Sequence, residues 1–163
     1  MIFRTCFSSP IGQICLEADD EALLKLELPS ENKRETLAGK HLRGQAQDRY
    51  CDVLAEARAQ VRAWLQGKLR SFTLPVAPGG TIFQKAVWRE ICAIDYGRTR
   101  TYGEIAACLG NSRGTRAVGG AAHANPLPLI IPCHRVVGAG GALTGFAAGI
   151  AVKQALLALE HSF

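Results

Sequence analysis

Cys133 and His134 are the residues whose types and position could most readily do chemistry. They lie in the stretch 130–137, which reads IIPCHRVV. A cysteine attacks as its thiolate, and an ordinary thiol with a pKa near ~8.5 supplies only a few per cent of that form at neutral pH. A nearby base, of which His134 is the obvious candidate, would have to take the proton.

The apolar residues around this pair predict a short buried strand, with Pro132 stiffening the backbone that delivers the thiol. Adjacent residues of a strand point to opposite faces, so contact between Cys133 and His134 would need a bend or a bridging water. The alternative is that Cys133 is a small buried hydrophobe and His134 a core histidine bonded to the backbone. For an isolated pair that alternative would be preferred, so the surrounding sequence has to decide.

The composition is that of an ordinary globular chain. Its 163 residues, 48% of them hydrophobic, can bury one core or two small ones packed together. No apolar run approaches the length of a membrane span, and the first residues lack a signal peptide, so we expect a cytoplasmic protein without membrane contact. The net charge of +5 favours an anionic partner, although only weakly.

The cysteines do not predict a disulfide framework or a metal site. The chain is long enough to fold without disulfides and carries no export signal, so all six cysteines are expected to be reduced. No CxxC motif occurs, and a zinc site assembled from Cys6, Cys15 and His41 is disfavoured. We therefore expect no metal.

The first half reads as a small antiparallel sheet with one helix. Strands are predicted at 2–7 and 11–18, and a third where Leu24, Leu26 and Leu28 alternate with charged residues. A basic solvated loop follows at 29–49, and a helix with one apolar face runs from Tyr50 to a glycine cap at Gly67. A last strand is predicted from the alternation of Phe72, Leu74 and Val76, before a domain boundary at residue 77.

The second half reads as mostly helical. Two capping boxes, Thr81 with Gln84 and Thr101 with Glu104, predict helix starts. The first helix should turn Phe83, Val87, Ile91 and Ile94 inward. The second is short and is followed by a glycine-containing turn and another helix at 115–124, which makes a helix-turn-helix candidate. A glycine-rich loop at 138–149 precedes a final helix with Val152, Leu156 and Leu159 on one stripe.

The helix at 115–124 is unusual because Gly119 and Gly120 lie in its interior. Each costs about 0.8–1.0 kcal/mol relative to alanine. Small residues let a helix backbone come close to a neighbour, which could be another helix or the sugar-phosphate wall of DNA.

Four motifs together resemble the O6-alkylguanine-DNA alkyltransferases, over roughly residues 81–160. They are RAVG at 116–119, NPxP at 125–128, IPCHRV at 131–136 and KxxLLxxE at 153–160. The resemblance implies an α+β protein of two small domains. Residues 1–77 would form an antiparallel sheet with a helix, which is ribonuclease H-like, and residues 78–163 a mostly helical domain with a winged helix-turn-helix.

The resemblance also implies direct DNA repair. Such proteins move a methyl or larger alkyl group irreversibly from O6-alkylguanine, and less efficiently from O4-methylthymine, in duplex DNA to their own cysteine. The damaged base is flipped into the active site, each molecule reacts once, and no cofactor is needed. We expect a monomer, with cooperative binding to DNA left open.

Carried over residue by residue, the resemblance makes Cys133 the acceptor and His134 its proton relay through a water, with Glu160 orienting His134. Asn125 would be a hinge near the active site. Arg116 would replace the flipped nucleotide in the stack, and Tyr102 would press on its phosphate. The residues expected at DNA are Arg116, Tyr102, Ala117, Gly119 and Gly120; those expected to line the substrate pocket are Tyr102, Val136, Phe146 and Ala147.

Some positions depart from the family pattern, and two other classes of protein fit the sequence less well. Phe146 stands where tyrosine is usual, and Ala147 and Ala148 replace a Ser/Gly pair, which bears on the size of the alkyl group accepted. A lesion sensor without chemistry would lack the acceptor cysteine. A cysteine-dependent phosphatase would need the CX5R loop, but Ala139 occupies the arginine position.

Overall fold

The computed structural model describes residues 1–30 and 51–162, and it divides the chain into two compact units, Met1–Pro78 and Gly79–Phe163. Most of the basic loop predicted at 29–49, together with His41 and Tyr50, lies outside the described residues. Within the described ranges no helix is long and apolar enough to cross a membrane.

The first unit is an antiparallel three-stranded sheet covered by one helix. Strands β1 (Phe3–Ser9), β2 (Gly12–Ala18) and β3 (Leu23–Glu27) pair in sequence order. Helix α1 (Asp52–Leu65) packs against β2 with the apolar face that its periodicity predicts, and Gly67 follows its end with a positive φ of 72°. The predicted meander and helix are confirmed.

Two details of this sheet differ from the prediction. The pairing of β2 with β3 shifts between Glu17 and Ala18, so Leu23 rather than Leu24 is fully buried. The strand predicted through Phe72, Leu74 and Val76 is wrong, because only an isolated bridge joins Val76 to Leu23. Pro75 lies next to that bridge and has no N–H to extend a ladder.

Cys6 and Cys15 form a disulfide, so the prediction that all cysteines are reduced is wrong for this pair. The two residues face each other directly in the β1–β2 register, with their Cα atoms 4.1 Å apart. Composition argued that the chain does not need a disulfide, but it carried no information about which side chains are cross-strand neighbours. Among the described residues, the free cysteines are Cys51, Cys92, Cys108 and Cys133.

The second unit begins with helix α2 (Ile82–Cys92), which starts at the predicted Thr81–Gln84 capping box. Val87 and Ile91 are fully buried as expected, but Phe83 is 39% exposed. Trp88 is buried instead, and its indole N–H donates to the carbonyl of Ala121 at 2.8 Å. The prediction for Phe83 is wrong because this position is in the first turn of the helix, before the helix meets its neighbours.

Helices α3 (Tyr102–Cys108) and α4 (Thr115–His123) form the predicted helix-turn-helix. The Thr101–Glu104 capping box starts α3. Just before it, the short strand β4 (Arg100–Thr101) pairs in parallel with β5 (Val136–Val137), which follows the cysteine turn. This ladder ties the start of α3 to the residues that follow Cys133.

The last helix, α5 (Ile150–Ser162), buries Leu156 as predicted, but not the rest of the predicted stripe. Its buried residues are Lys153, Leu156 and Glu160, whereas Val152 and Leu159 are only half-buried. The prediction was based on the apolar residues of the helix. Lys153 and Glu160 are buried instead, because each has a polar partner inside the unit. Such partners are what make the burial of charged side chains tolerable.

Candidate active site

Cys133 lies in a 3₁₀ turn, Cys133–Arg135, and not in the strand that the sequence predicts. Pro132 before it has a ψ of 64°, outside the range of a strand, and the N–H of Arg135 donates to its carbonyl at 2.9 Å. Successive side chains of a 3₁₀ helix are about 120° apart, because it has about three residues per turn. The bend that the sequence argument required is therefore present.

Asn125 closes the loop that leads to this turn. Its side-chain oxygen accepts a hydrogen bond from the N–H of Leu127 at 2.9 Å, and its amide donates to the carbonyl of Ile131 at 2.8 Å. Between these points Leu129 is buried and has a φ of 74°, the left-handed region that residues with a side chain seldom adopt. Asn125 thus fixes a strained loop next to the cysteine.

The Cys133 thiol is buried, and burial raises its pKa to about 11. A hydrogen bond from Asn125 and the positive charge of Lys153 act in the opposite direction but do not offset the loss of solvation. The thiol is therefore protonated at neutral pH, and its reaction as a nucleophile requires a proton acceptor.

His134 and Glu160 form a buried pair, with 2.7 Å between Nε2 of the histidine and Oε1 of the glutamate. Burial lowers the pKa of His134, although the bond and the charge of Glu160 favour its protonated form. Burial alone would raise the pKa of Glu160, but hydrogen bonds from His134 and Arg135 bring it to about 2. At neutral pH the site holds a carboxylate and a neutral imidazole.

The Glu160 carboxylate has two further donors. The Arg135 guanidinium donates through Nε to both carboxylate oxygens at 2.9 and 3.1 Å, and the N–H of Gly97 donates to Oε2 at 2.9 Å. Sequence reasoning gave Arg135 no role, and charged side chains are seldom buried in proteins. Its place directly after the Cys-His pair was the available signal.

Lys153 is a buried cation beside the thiol. Its Nζ donates to the carbonyl of Val136 at 2.5 Å and to that of Thr144 at 3.2 Å. The rings of Tyr102 and Phe146 each have their centroid 5.8 Å from this nitrogen. Sequence reasoning gave Lys153 no role, although its spacing from Glu160 puts both on one face of α5.

The residues predicted for the substrate pocket are partly brought together. The Tyr102 hydroxyl donates to the Thr144 carbonyl at 3.1 Å, and Tyr102 and Phe146 meet at Lys153. Val136 contributes its carbonyl to the same cluster. Ala147 is exposed on the glycine-rich loop.

Four of the five residues predicted to contact DNA lie on α4, and the fifth, Tyr102, is the first residue of α3. Arg116, Ala117 and Gly120 are exposed and Gly119 is half-buried. A Cβ added at Gly119 or Gly120 would meet no described atom within 4 Å, so these glycines do not serve packing against another helix of the described unit. They leave a slim, open helix surface.

A helix-turn-helix joined to a buried cysteine turn defines a DNA-binding protein with a thiol site. Residues 2–78 match the model of the 6-O-methylguanine DNA methyltransferase, ribonuclease-like domain, and residues 82–162 match that of the 6-O-methylguanine DNA methyltransferase, DNA binding domain. The chain belongs to the 6-O-methylguanine DNA methyltransferase family, which confirms the resemblance seen in the motifs.

Relatives and solved structures agree with this assignment. The methylated-DNA–protein-cysteine methyltransferase of Methanosarcina acetivorans is 42% identical over 99% of each chain. The constitutive enzyme of that name from Bacillus subtilis is 34% identical, over 99% of this chain and 96% of its own. The crystal structure of the Mycobacterium tuberculosis O6-methylguanine methyltransferase superposes with a TM-score of 0.81 at 38% identity, covering 99% of this chain and 94% of its own.

A second crystal structure shows the Mycobacterium tuberculosis protein OGT in complex with DNA. It has a TM-score of 0.81 and 36% identity, covering 98% of this chain and 93% of its own. The fold is therefore the predicted α+β architecture, and the chain is that of a DNA-binding repair methyltransferase.

Proposed function

We propose that this protein repairs DNA by moving a methyl or larger alkyl group irreversibly from O6-alkylguanine, or from O4-alkylthymine, in duplex DNA to Cys133. The observation that carries the proposal is the buried Cys133 thiol directly before His134, whose imidazole is oriented by the 2.7 Å bond to Glu160 and kept neutral by burial. The names of the relatives, which are methylated-DNA–protein-cysteine methyltransferases, support it.

The proposed chemistry is a single displacement at the alkyl carbon. His134 takes the thiol proton through a water molecule, and the Cys133 sulfur attacks the carbon. The bond from that carbon to O6 of guanine, or to O4 of thymine, breaks and its electrons go to the base. The base takes up one proton, which balances the proton that the His134 imidazolium releases to water. Lys153 favours the thiolate by its charge. Because a thioether cannot be hydrolysed under these conditions, each molecule reacts once and needs no cofactor.

Residues on α4 and at the start of α3 carry the proposed recognition of DNA. Extrusion of a base costs a few kcal/mol of stacking and pairing. Arg116 would offset part of that cost by filling the vacated stack, while Tyr102 would press on the phosphate of the rotated nucleotide. Ala117, Gly119 and Gly120 would let the slim helix surface approach the DNA backbone.

The proposed pocket for the flipped base lies between Tyr102, Val136, Phe146 and Ala147. Asn125 would act as its hinge, since it fixes the loop that ends at the cysteine turn. We further propose that residues 78–163 carry both DNA binding and transfer, that residues 1–77 form the other domain, and that the protein acts as a cytoplasmic monomer.

The test is to incubate the pure protein with a duplex oligonucleotide containing O6-methylguanine, then to measure intact mass and map the modified peptide. One methyl group at Cys133 is expected, with no further turnover. Cys133→Ser should still bind the duplex but remain unmodified, whereas Cys108→Ser, at an exposed cysteine, should react like the wild type. Repeated turnover, or a methyl group on another cysteine, would refute the proposal.

The role of Arg116 is tested separately. Arg116→Ala should slow repair of the duplex by about tenfold or more while leaving the reaction with free O6-benzylguanine unchanged, since removing the few kcal/mol that offset flipping affects only the duplex. Rates of protein alkylation on the two substrates give the answer. Equal losses on both would show that Arg116 does not act in flipping.

A further inference from the structure

Arg135 is a buried cation that the proposed chemistry does not use. Its guanidinium binds Glu160 through two nitrogens, with Nε 2.9 Å and Nη2 2.8 Å from Oε1. Its Nη1 donates to the carbonyl of Ile94 at 2.7 Å, and the group lies 5.5 Å from the ring centroid of Tyr96. These contacts fix the guanidinium relative to the carboxylate, as bidentate arginine pairs do.

Glu160 is thus shared between a histidine and an arginine. A carboxylate that touches only a histidine favours the imidazolium form, which cannot accept another proton. A guanidinium on the same carboxylate cancels much of that effect and also repels a second positive charge. The arrangement lets Glu160 hold the ring by a hydrogen bond without forcing a charge onto it.

Among the described residues, the charged groups that act on His134 come from its own turn and from α5. The helices with the most contacts to its turn are α2 and α5. Glu160 and Lys153 act on it from α5, and Arg135 acts from its own turn. Among these groups only Glu160 favours the imidazolium, while Arg135 and Lys153 oppose it. On α2, burial raises the pKa of Cys92 although the charge of Arg135 lowers it, so this thiol is neutral.

We propose that Arg135 is a positioning residue for alkyl transfer: it fixes the Glu160 carboxylate that orients His134 and keeps the imidazole neutral, and therefore able to take the Cys133 proton. This role rests on the proposed function, in which His134 is the proton acceptor. It assigns to one buried arginine the geometry of the pair and part of the control of its charge, in addition to the larger effect of burial.

The test is to titrate His134 by NMR in the full chain and in variants. Arg135→Gln should raise its pKa, because the Glu160 carboxylate, which favours the imidazolium, is then opposed only by burial and by Lys153. Glu160→Gln should leave the pKa at or below that of the wild type. A merely structural role would expose the ring in both variants and move both toward the ordinary value of 6.5.

Two further variants sharpen the result. Arg135→Lys keeps the positive charge but loses the two-nitrogen contact with Glu160. It should change the pKa of His134 by less than Arg135→Gln does. Arg100→Gln removes a cation from another glutamate pair of the same unit, the 3.3 Å contact with Glu90, and should leave His134 unchanged. If Arg135→Gln does not fold, the wild type and Glu160→Gln decide, because a wild-type His134 that is charged at pH 7 overturns the proposal.

The same proteins are then assayed for alkyl transfer against pH. Arg135→Gln should move the acid limb of the rate profile to higher pH, by the same amount as the pKa of His134 moves in the titration. If the wild type transfers the alkyl group but neither the titration nor the profile moves, the role of Arg135 is wrong and the proposed function stands. If the wild type does not transfer at all, the proposed function itself fails, while the titration still reports on Arg135.

Discussion

At the scale of single residues, the site combines a thiol that holds its proton with a base that lacks one. Burial raises the pKa of Cys133 to about 11 and lowers that of His134. Neither residue is poised for reaction alone, and under the proposed function His134 takes the thiol proton so that the Cys133 sulfur can attack. The dependence of the rate on pH should therefore report the histidine and not the thiol.

The first prediction concerns that dependence. In the wild type the rate of alkyl transfer should rise with pH up to the lowered pKa of His134 and then stay level from about pH 7 to pH 9, because the neutral imidazole takes the proton. In His134→Gln it should keep rising, about tenfold per pH unit, toward the thiol pKa of about 11. Single-turnover rates measured across this range, with folding checked by circular dichroism, would show it. A continuous rise in the wild type would contradict the base role.

A second prediction follows from Glu160, whose pKa falls from its ordinary value of 4.5 to about 2. Above pH 4.5 the carboxylate is ionised in both folded and unfolded chains, and its contribution to stability is complete. Between pH 4.5 and 2 the unfolded chain binds a proton that the folded one does not, so the free energy of unfolding should fall, by on the order of 2–3 kcal/mol. Urea titrations at several pH values measure this.

The matched variants for this titration are Glu160→Gln and Glu90→Gln. The first is less stable at neutral pH but should show a flatter acid limb, since the linked proton is gone. The second removes a partly exposed carboxylate paired with Arg100 and should keep the wild-type slope. An unchanged slope in Glu160→Gln would mean that other groups govern the acid response.

The sequence pointed to the candidate pair Cys133 and His134 but not to the buried charged side chains around it. Cys133, His134 and Glu160 were reached through motif spacing, and the structure brings His134 and Glu160 into contact. Arg135 and Lys153 were passed over because charged residues are rarely buried, and only the three-dimensional structure shows the carbonyls and carboxylate that make their burial tolerable.

At the scale of elements, sequence signals contained within a few residues predicted the structure correctly. Features that depend on contacts with distant residues were not predicted. The capping boxes at Thr81 and Thr101 were predictable because each is complete within four residues. The 3₁₀ turn at Cys133 was predicted as a strand because the residues around it are apolar. An apolar run indicates burial, but burial alone does not determine the backbone conformation. The disulfide depended on β1–β2 register, which composition does not encode.

Helix α4 gives a prediction in which stability and function change in opposite directions. Gly120→Ala should stabilise the free protein by up to about 1 kcal/mol, because a Cβ there meets no described atom within 4 Å and alanine favours the helix. If this face approaches DNA, the same methyl group should weaken duplex binding. Calorimetry without DNA and fluorescence anisotropy with DNA measure the two effects.

The control for this variant is Gly103→Ala in α3, where the added Cβ would make an ordinary 3.8 Å contact with Thr101 Oγ1. It should raise stability for the same helical reason and leave duplex affinity nearly unchanged. Tighter binding by Gly120→Ala would exclude this helix face as the one nearest to DNA.

At the scale of the whole molecule, the described chain separates its covalent cross-link from its reactive thiol. The disulfide between Cys6 and Cys15 lies in the unit Met1–Pro78, while every residue of the candidate site lies in Gly79–Phe163. Stability of the first unit and chemistry of the second should therefore respond to different changes.

The corresponding prediction uses the double variant Cys6→Ser/Cys15→Ser. Loss of a cross-link that spans nine positions should lower the free energy of unfolding of the first unit by about 2–3 kcal/mol. The rate of methyl transfer should stay as in the wild type at a temperature where both proteins are folded. Calorimetry measures the loss of stability, and the oligonucleotide mass assay measures the rate of transfer. A large loss of transfer would mean that the site depends on the first unit.

Leu129 has a consequence for how this chain can vary. Its backbone conformation, with φ at 74°, suits glycine or asparagine, whereas its fully enclosed position suits a large aliphatic side chain. Glycine would relax the loop but leave a void, and valine or isoleucine would fill space while their branched Cβ atoms oppose the turn. A saturation library selected for repair in cells should consequently return leucine, or an unbranched substitute such as methionine, at this position.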